Sequence, residues 1–215
     1  MTDSGTTPNL RERNKRRTRE AISHAATRLF IEQGFDRTTI AEVAAAAGVA
    51  KMTVTNHFPR KEDLFFDLHE ELAGRLAGTV SERAPGESAL AALRRDCLAG
   101  LDRHDARLGF SGPDFARTVS ASPALAARLR ELHEQSETAL AEALAEAVHE
   151  MPVGFECRVA AALLAAVDRA VFAEVFRRTL AGEDHAAIAA AVRPSAVRAY
   201  DRLENALGNY AVREV

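Results

Sequence analysis

Apolar side chains recur at three- and four-residue intervals along most of the chain, and nowhere do they alternate as a half-buried strand requires. Ile22, Ala25, Ala26, Leu29 and Phe30 share one face of a helix predicted from about Asn9 and ended by Gly34 and Phe35. Thr39-Ile40-Ala41-Glu42 has the form of a capping box, so a short helix is predicted to run on to about Ala46. Ala47-Gly48-Val49 breaks it, and a two-turn helix from Ala50 to His57 stops at Phe58-Pro59. Leu64, Phe65, Leu68, Leu72, Leu76 and Val80 then predict a helix over 59–80, with Pro59 at its first position, where no needed donor is lost. Beyond Pro85-Gly86, helices are predicted at about 87–104, 113–120, 123–150, 153–181 and 184–208. Pro194 requires the last of these either to kink or to divide in two.

The expected fold class is therefore all-α. Alanine at roughly one residue in five supports it, and 12 Gly, 7 Pro and 2 Tyr in 215 residues leave little material for an all-β fold. The expected organisation is a disordered polar start at 1–8, a helix-turn-helix domain at 9–58, a connecting helix at 59–80 and a larger helical domain at 81–215.

The net charge of −3 conceals a local excess: Arg11, Arg13, Lys15, Arg16, Arg17 and Arg19 face only Glu12. Cys97 and Cys157 lack the spacing of metal or redox motifs, and no stretch is long and apolar enough to span a bilayer, so a cytoplasmic protein is expected. The histidines are not at metal-ligand spacing, and no nucleophile–base arrangement or glycine-rich phosphate loop is present. Neither an enzyme nor a metal- or cofactor-dependent protein is expected.

Reading duplex DNA requires a short helix that fits the major groove, braced by a second helix, with small polar side chains facing outward. In the stretch from Thr38 to Lys61, Val43, Ala44, Ala47, Val49 and Val54 are suited to pack inward. Lys51, Met52, Thr53, Thr55, Asn56 and His57 are left outward. The basic run, with Arg16 and Arg17 at its centre, would bind phosphates and position the reading helix. Met52 reads either as a thymine-methyl contact or as core filler, and His57 either as a DNA contact or as a tie at the helix end.

The ordered run Arg19-x-x-Ile22-x-x-Ala25-Ala26-x-x-Leu29-Phe30, Gly34-Phe35-x-x-Thr38-Thr39, Ala47-Gly48-Val49 and His57-Phe58-x-x-Lys61-Glu62-x-Leu64 resembles the DNA-binding domain of TetR-family transcriptional regulators. The resemblance implies an all-α homodimeric repressor that binds a near-palindromic double-stranded operator. A C-terminal helical domain would form the dimer and take up a small-molecule effector. Carried over by position, Lys51, Met52, Thr55 and Asn56 would face base edges or nearby backbone, and Thr39, Thr53, His57 and Lys61 would hold phosphates. The chain departs from the family's usual glycine or proline at position 52 and tyrosine at position 55, and Ala41 offers no polar contact. An activator or a protein-responsive regulator of the same fold is the nearest alternative. An all-α enzyme or a helical adaptor would leave the capped two-helix unit and its basic run without a purpose.

On a helical wheel of residues 153–181, Phe155, Val159, Leu163, Leu164, Val167, Val171, Phe172, Val175, Phe176 and Leu180 occupy most of the circumference. A second subunit would cover such a helix, and Phe172, Phe176, Leu203 and Leu207 are the expected dimer seam. His104, Phe110, Phe115, His133 and Phe155 are the expected lining of an effector pocket.

Overall fold

The computed structural model describes residues 10–214, with side chains from Arg13 onward. The polar start expected to be disordered, and the side chain of Arg11, lie outside the described residues. Helices and turns account for all the regular structure among the described residues. A first compact unit ends at Asp67 and a second begins at Leu68.

The first unit holds α1 (Leu10–Gln33), α2 (Ile40–Ala47) and α3 (Lys51–His57). Ile22, Ala26 and Phe30 of α1 bury completely, and Phe35, Val43, Val54, Phe58, Leu64 and Phe65 close the core. Phe30 meets Phe35 at 4.9 Å and Phe65 at 5.9 Å between ring centroids. Each such buried side chain contributes about 1.5–3 kcal/mol relative to exposure, so this small unit rests largely on its aromatic cluster. The capping box is formed: the Glu42 N–H donates to Thr39 Oγ1 at 3.2 Å, and the Thr39 N–H donates to Glu42 Oε2 at 2.7 Å. Gly48, at φ 67°, ends α2 in the left-handed conformation and sets the tight turn into α3.

The continuous helix expected over 59–80 is instead divided. A 3₁₀ turn spans Glu62–Leu64, and α4 begins only at His69 and runs to Ser81. Asp63, Leu64, Phe65 and Phe66 are all buried. A helix with one core-facing stripe cannot bury four consecutive side chains, so the backbone winds irregularly there to deliver three large apolar groups to the core.

The second unit contains α4, α5 (Ala89–Asp102), α6 (Pro113–Ala121), α7 (Pro123–Ala147), α8 (Phe155–Leu180) and α9 (His185–Leu207). Here α4 packs on α7, α7 on α8, and α9 on both α8 and α5. Leu90, Leu93, Leu101, Leu140, Leu144, Leu164, Val175, Ile188 and Tyr200 form a continuous core. Within that core the Arg75 guanidinium on α4 is bonded to Asp96 of α5 and Asp168 of α8. Pro194 neither divides nor ends α9. Pro194 and Ala190 both lie on the exposed face, so the carbonyl that loses its intrahelical donor opens toward solvent.

Only one side of α8 is buried, including Cys157, Ala161, Leu164, Asp168, Val171 and Val175. Phe155 (69% exposed), Val159, Leu163 and Leu180 point away from this core, with Ala166, Ala170 and Ala173 among them.

Candidate nucleic-acid interface

α3 is anchored through Val54, which is wholly buried, while Lys51, Met52, Thr55 and Asn56 are exposed. Four side chains of differing chemistry are thus offered by one seven-residue helix: a cation, a thioether, a hydroxyl and a carboxamide. Met52 is 70% exposed, which rules out a core-filling role within the chain. The Thr55 hydroxyl donates to the Met52 carbonyl at 3.1 Å, so toward a ligand its oxygen acts as an acceptor beside its methyl group. Asn56 keeps a donor and an acceptor together, the pairing that matches an adenine edge in the major groove.

Thr53 and His57 are half-buried at the flank of this surface. The His57 imidazole is held below its ordinary range by desolvation first, then by the nearby Lys15 and Arg19 charges. Near neutral pH it is therefore uncharged and offers a hydrogen bond rather than an ion pair. Arg16 is exposed and paired with Glu20 at 2.9 Å, whereas Arg17 and Lys51 have no ion-pair partner among the described residues.

Two residues expected at phosphates have duties within the fold. The Thr39 hydroxyl accepts from the Glu42 N–H and donates to Glu42 Oε2 at 2.8 Å, so its proton is already committed to the cap. Lys61 Nζ donates to the Phe35 carbonyl at 2.6 Å and sits 4.3 Å from the centroid of the Phe35 ring. That ammonium closes the turn after α1 instead of extending freely into solvent. Sequence reasoning also missed what Arg19 does: it lies 4.3 Å from the centroid of the Phe58 ring and donates to the His57 carbonyl at 2.9 Å. No local signal links two positions so far apart in the chain.

In the second unit the five expected pocket residues do not converge. Phe155 is exposed, Phe115 is half-buried, and His104 lies on the surface against Phe110 and His185, at 5.2 and 5.7 Å between ring centroids. His133 packs edge-on to Phe172 at 4.9 Å. A cleft of about 320 Å³ is lined by Glu134, Glu137, Thr138, Ala141, Glu142, Val153 and Arg158, none of which was expected there. Of the four residues expected at a dimer seam, two are covered by the chain itself. Phe172 and Leu207 are buried within the single chain, and Phe176 and Leu203 are half-buried. Phe172 and Leu207 are thus already covered by the chain's own core, while Phe176 and Leu203 keep part of their apolar surface open.

A sequence model of the family described as "Bacterial regulatory proteins, tetR family" matches residues 22–68, the segment that carries α2 and α3. The chain is 32% identical over 180 residues to the HTH-type transcriptional regulator TcmR of Streptomyces glaucescens, covering 80% of this chain and 78% of that protein. It is 34% identical over 87 residues to the transcriptional repressor AcnR of Corynebacterium diphtheriae, covering 40% of this chain and 43% of the relative. Among solved structures, a TetR-family regulator from Streptomyces coelicolor has the same fold, with a TM-score of 0.54 at 24% identity, covering 92% of this chain and 99% of that one.

Proposed function

The chain belongs to the TetR family of bacterial transcriptional regulators, and from that premise we propose that it is a homodimeric, cytoplasmic repressor of a near-palindromic operator, released by a small-molecule effector. It is a non-enzymatic DNA-binding regulator. The observation that carries the reading is the exposure of Lys51, Met52, Thr55 and Asn56 on a helix that the buried Val54 holds in place. Asn56 and Lys51 read base edges, Met52 meets a thymine methyl, and Arg16, Arg17 and the half-buried Thr53 supply backbone contacts.

The exposed face of α8 pairs the subunits. Phe155, Val159, Leu163 and Leu180 lie on it with alanines between them, a pattern that lets two helices approach closely while burying large side chains. No helix among the described residues is long and apolar enough to cross a membrane.

The effector acts in the second unit. Arg75 Nε, Ser111 Oγ and His133 Nε2 are buried without hydrogen-bond partners, and all three belong to that unit. An unsatisfied buried polar group costs about 1–3 kcal/mol, so these are the groups of that unit to which a bound hydrogen-bonding partner would add most. Such a ligand loosens DNA only if it binds the DNA-incompetent form more tightly, and DNA must then weaken the ligand by the same factor.

Selection from a randomised duplex library tests the reading. The expected product is a near-palindrome whose half-site centres lie about one helical turn, or a multiple of it, apart. Recovery of unrelated sequences with no shared half-site would contradict it.

A further inference from the structure

Arg19 belongs to the basic run, yet its guanidinium faces the protein. Its Cζ lies 4.3 Å from the centroid of the Phe58 ring, Nη1 donates to the His57 carbonyl at 2.9 Å, and Nη2 donates to the Asp67 carbonyl at 3.4 Å. One turn further along α1, the buried Ser23 hydroxyl donates to Asp67 Oδ2 at 2.7 Å. We infer that Arg19 is a positioning residue for sequence-specific recognition, fixing the C-terminal end of α3 against α1, and is not one of the phosphate contacts.

Little else holds α3 at its end. It has seven residues, one fully buried side chain, and an N-cap alanine that makes no side-chain hydrogen bond. Its final carbonyls have no intrahelical donors, and a cation at that end both satisfies the His57 carbonyl and complements the helix dipole. The planar guanidinium lies over the Phe58 ring while donating in two directions, which ties the end of α3 and the chain at Asp67 to α1 through one group. A lysine supplies the charge but neither the fork nor the flat face. Reading base edges requires placement to about 0.5 Å, whereas contacts to phosphates tolerate looser docking. Removing the clamp therefore falls on the specific complex.

This inference rests on the DNA-reading role of α3. The test accordingly begins by confirming that the wild-type full chain prefers a duplex it has selected over an unselected duplex of equal length. Absence of that preference would count against the operator reading and not against the clamp. Arg19→Lys is then titrated against both duplexes at several salt concentrations. The expected result is at least a tenfold loss on the selected duplex, a change under twofold on the unselected one, and an unchanged dependence of log affinity on log salt. Arg19→Gln, titrated alongside, removes the charge: equal weakening of both duplexes with a slope shallower by about 0.9, restored in Arg19→Lys, would make Arg19 a phosphate contact and overturn the inference. So would full retention of preference, or loss of both affinities together with a collapsed melting transition, which is general unfolding. Asp67→Asn keeps an acceptor for Ser23 and is expected to retain more of the preference than Asp67→Ala; equal loss in the two would also contradict the clamp.

Discussion

Arg75 on α4 and Asp96 on α5 meet at 2.5 Å, and Asp168 of α8 takes the other arm of the same guanidinium. Three helices of the second unit are thereby joined through one buried cation. Burial opposes the charged form, but Asp168 and then Asp96 outweigh it and hold the guanidinium above its ordinary range. Removing one member of such a cluster strands charge in a poorly solvated place, so Arg75→Ala is expected to destabilise the chain by about 3–5 kcal/mol. The urea midpoint should fall accordingly with little change in slope, and a shift under about 1 kcal/mol would show that the cluster is held more by its packing than by its charges.

The capping box makes a pH-dependent contribution to the first unit. The Thr39 backbone and hydroxyl donors hold the Glu42 carboxyl below its usual value of 4.5. A carboxyl whose folded value is depressed contributes stability that is present above the unfolded value and is lost as pH falls through the folded one. Thermal melts of wild type and Glu42→Gln should therefore differ most above about pH 5 and converge as the pH falls through the depressed folded value. A difference that widens on acidification would contradict the assignment. Thr39→Ala should cost about 1 kcal/mol, since it removes the hydroxyl that accepts from the Glu42 N–H and leaves only the backbone half of the box.

The subunit seam separates from the core by mutation. Leu163→Glu places charge on the exposed face of α8 and should yield folded monomers in sedimentation. Phe172→Glu buries that charge against His133 and should unfold the chain instead. A folded Leu163→Glu dimer would locate the interface elsewhere.

What the sequence made legible was local. Gly34, the Thr39–Glu42 box and Gly48 mark helix ends because their signals lie within four residues of the structure they create. The segment from Asp63 to Phe66 departs from the expected helix because, although Leu64, Leu68, Leu72 and Leu76 fit a helical period, the burial of four successive residues is imposed by a core assembled from distant positions. Lys61 looks like a free cation in sequence, yet its acceptor at Phe35 is 26 residues away. On α8 a helical wheel cannot tell Phe172 from Leu163. Both are apolar, and only the packing of α7 against that helix shows which one the subunit itself covers. The outward face of α3 was legible, Met52 apart, because Val54 is the one β-branched apolar residue in a two-turn helix otherwise made of polar side chains.

The most direct test compares fluorescence anisotropy titrations of wild type, Asn56→Ala and Arg17→Ala against a selected duplex and its scrambled counterpart. The account predicts that wild type prefers the selected duplex, that Asn56→Ala erodes that preference by about 1–3 kcal/mol, and that Arg17→Ala weakens both duplexes alike while flattening the salt slope by about 0.9. Equal wild-type affinity for the two duplexes, or identical behaviour of the two variants, would contradict it.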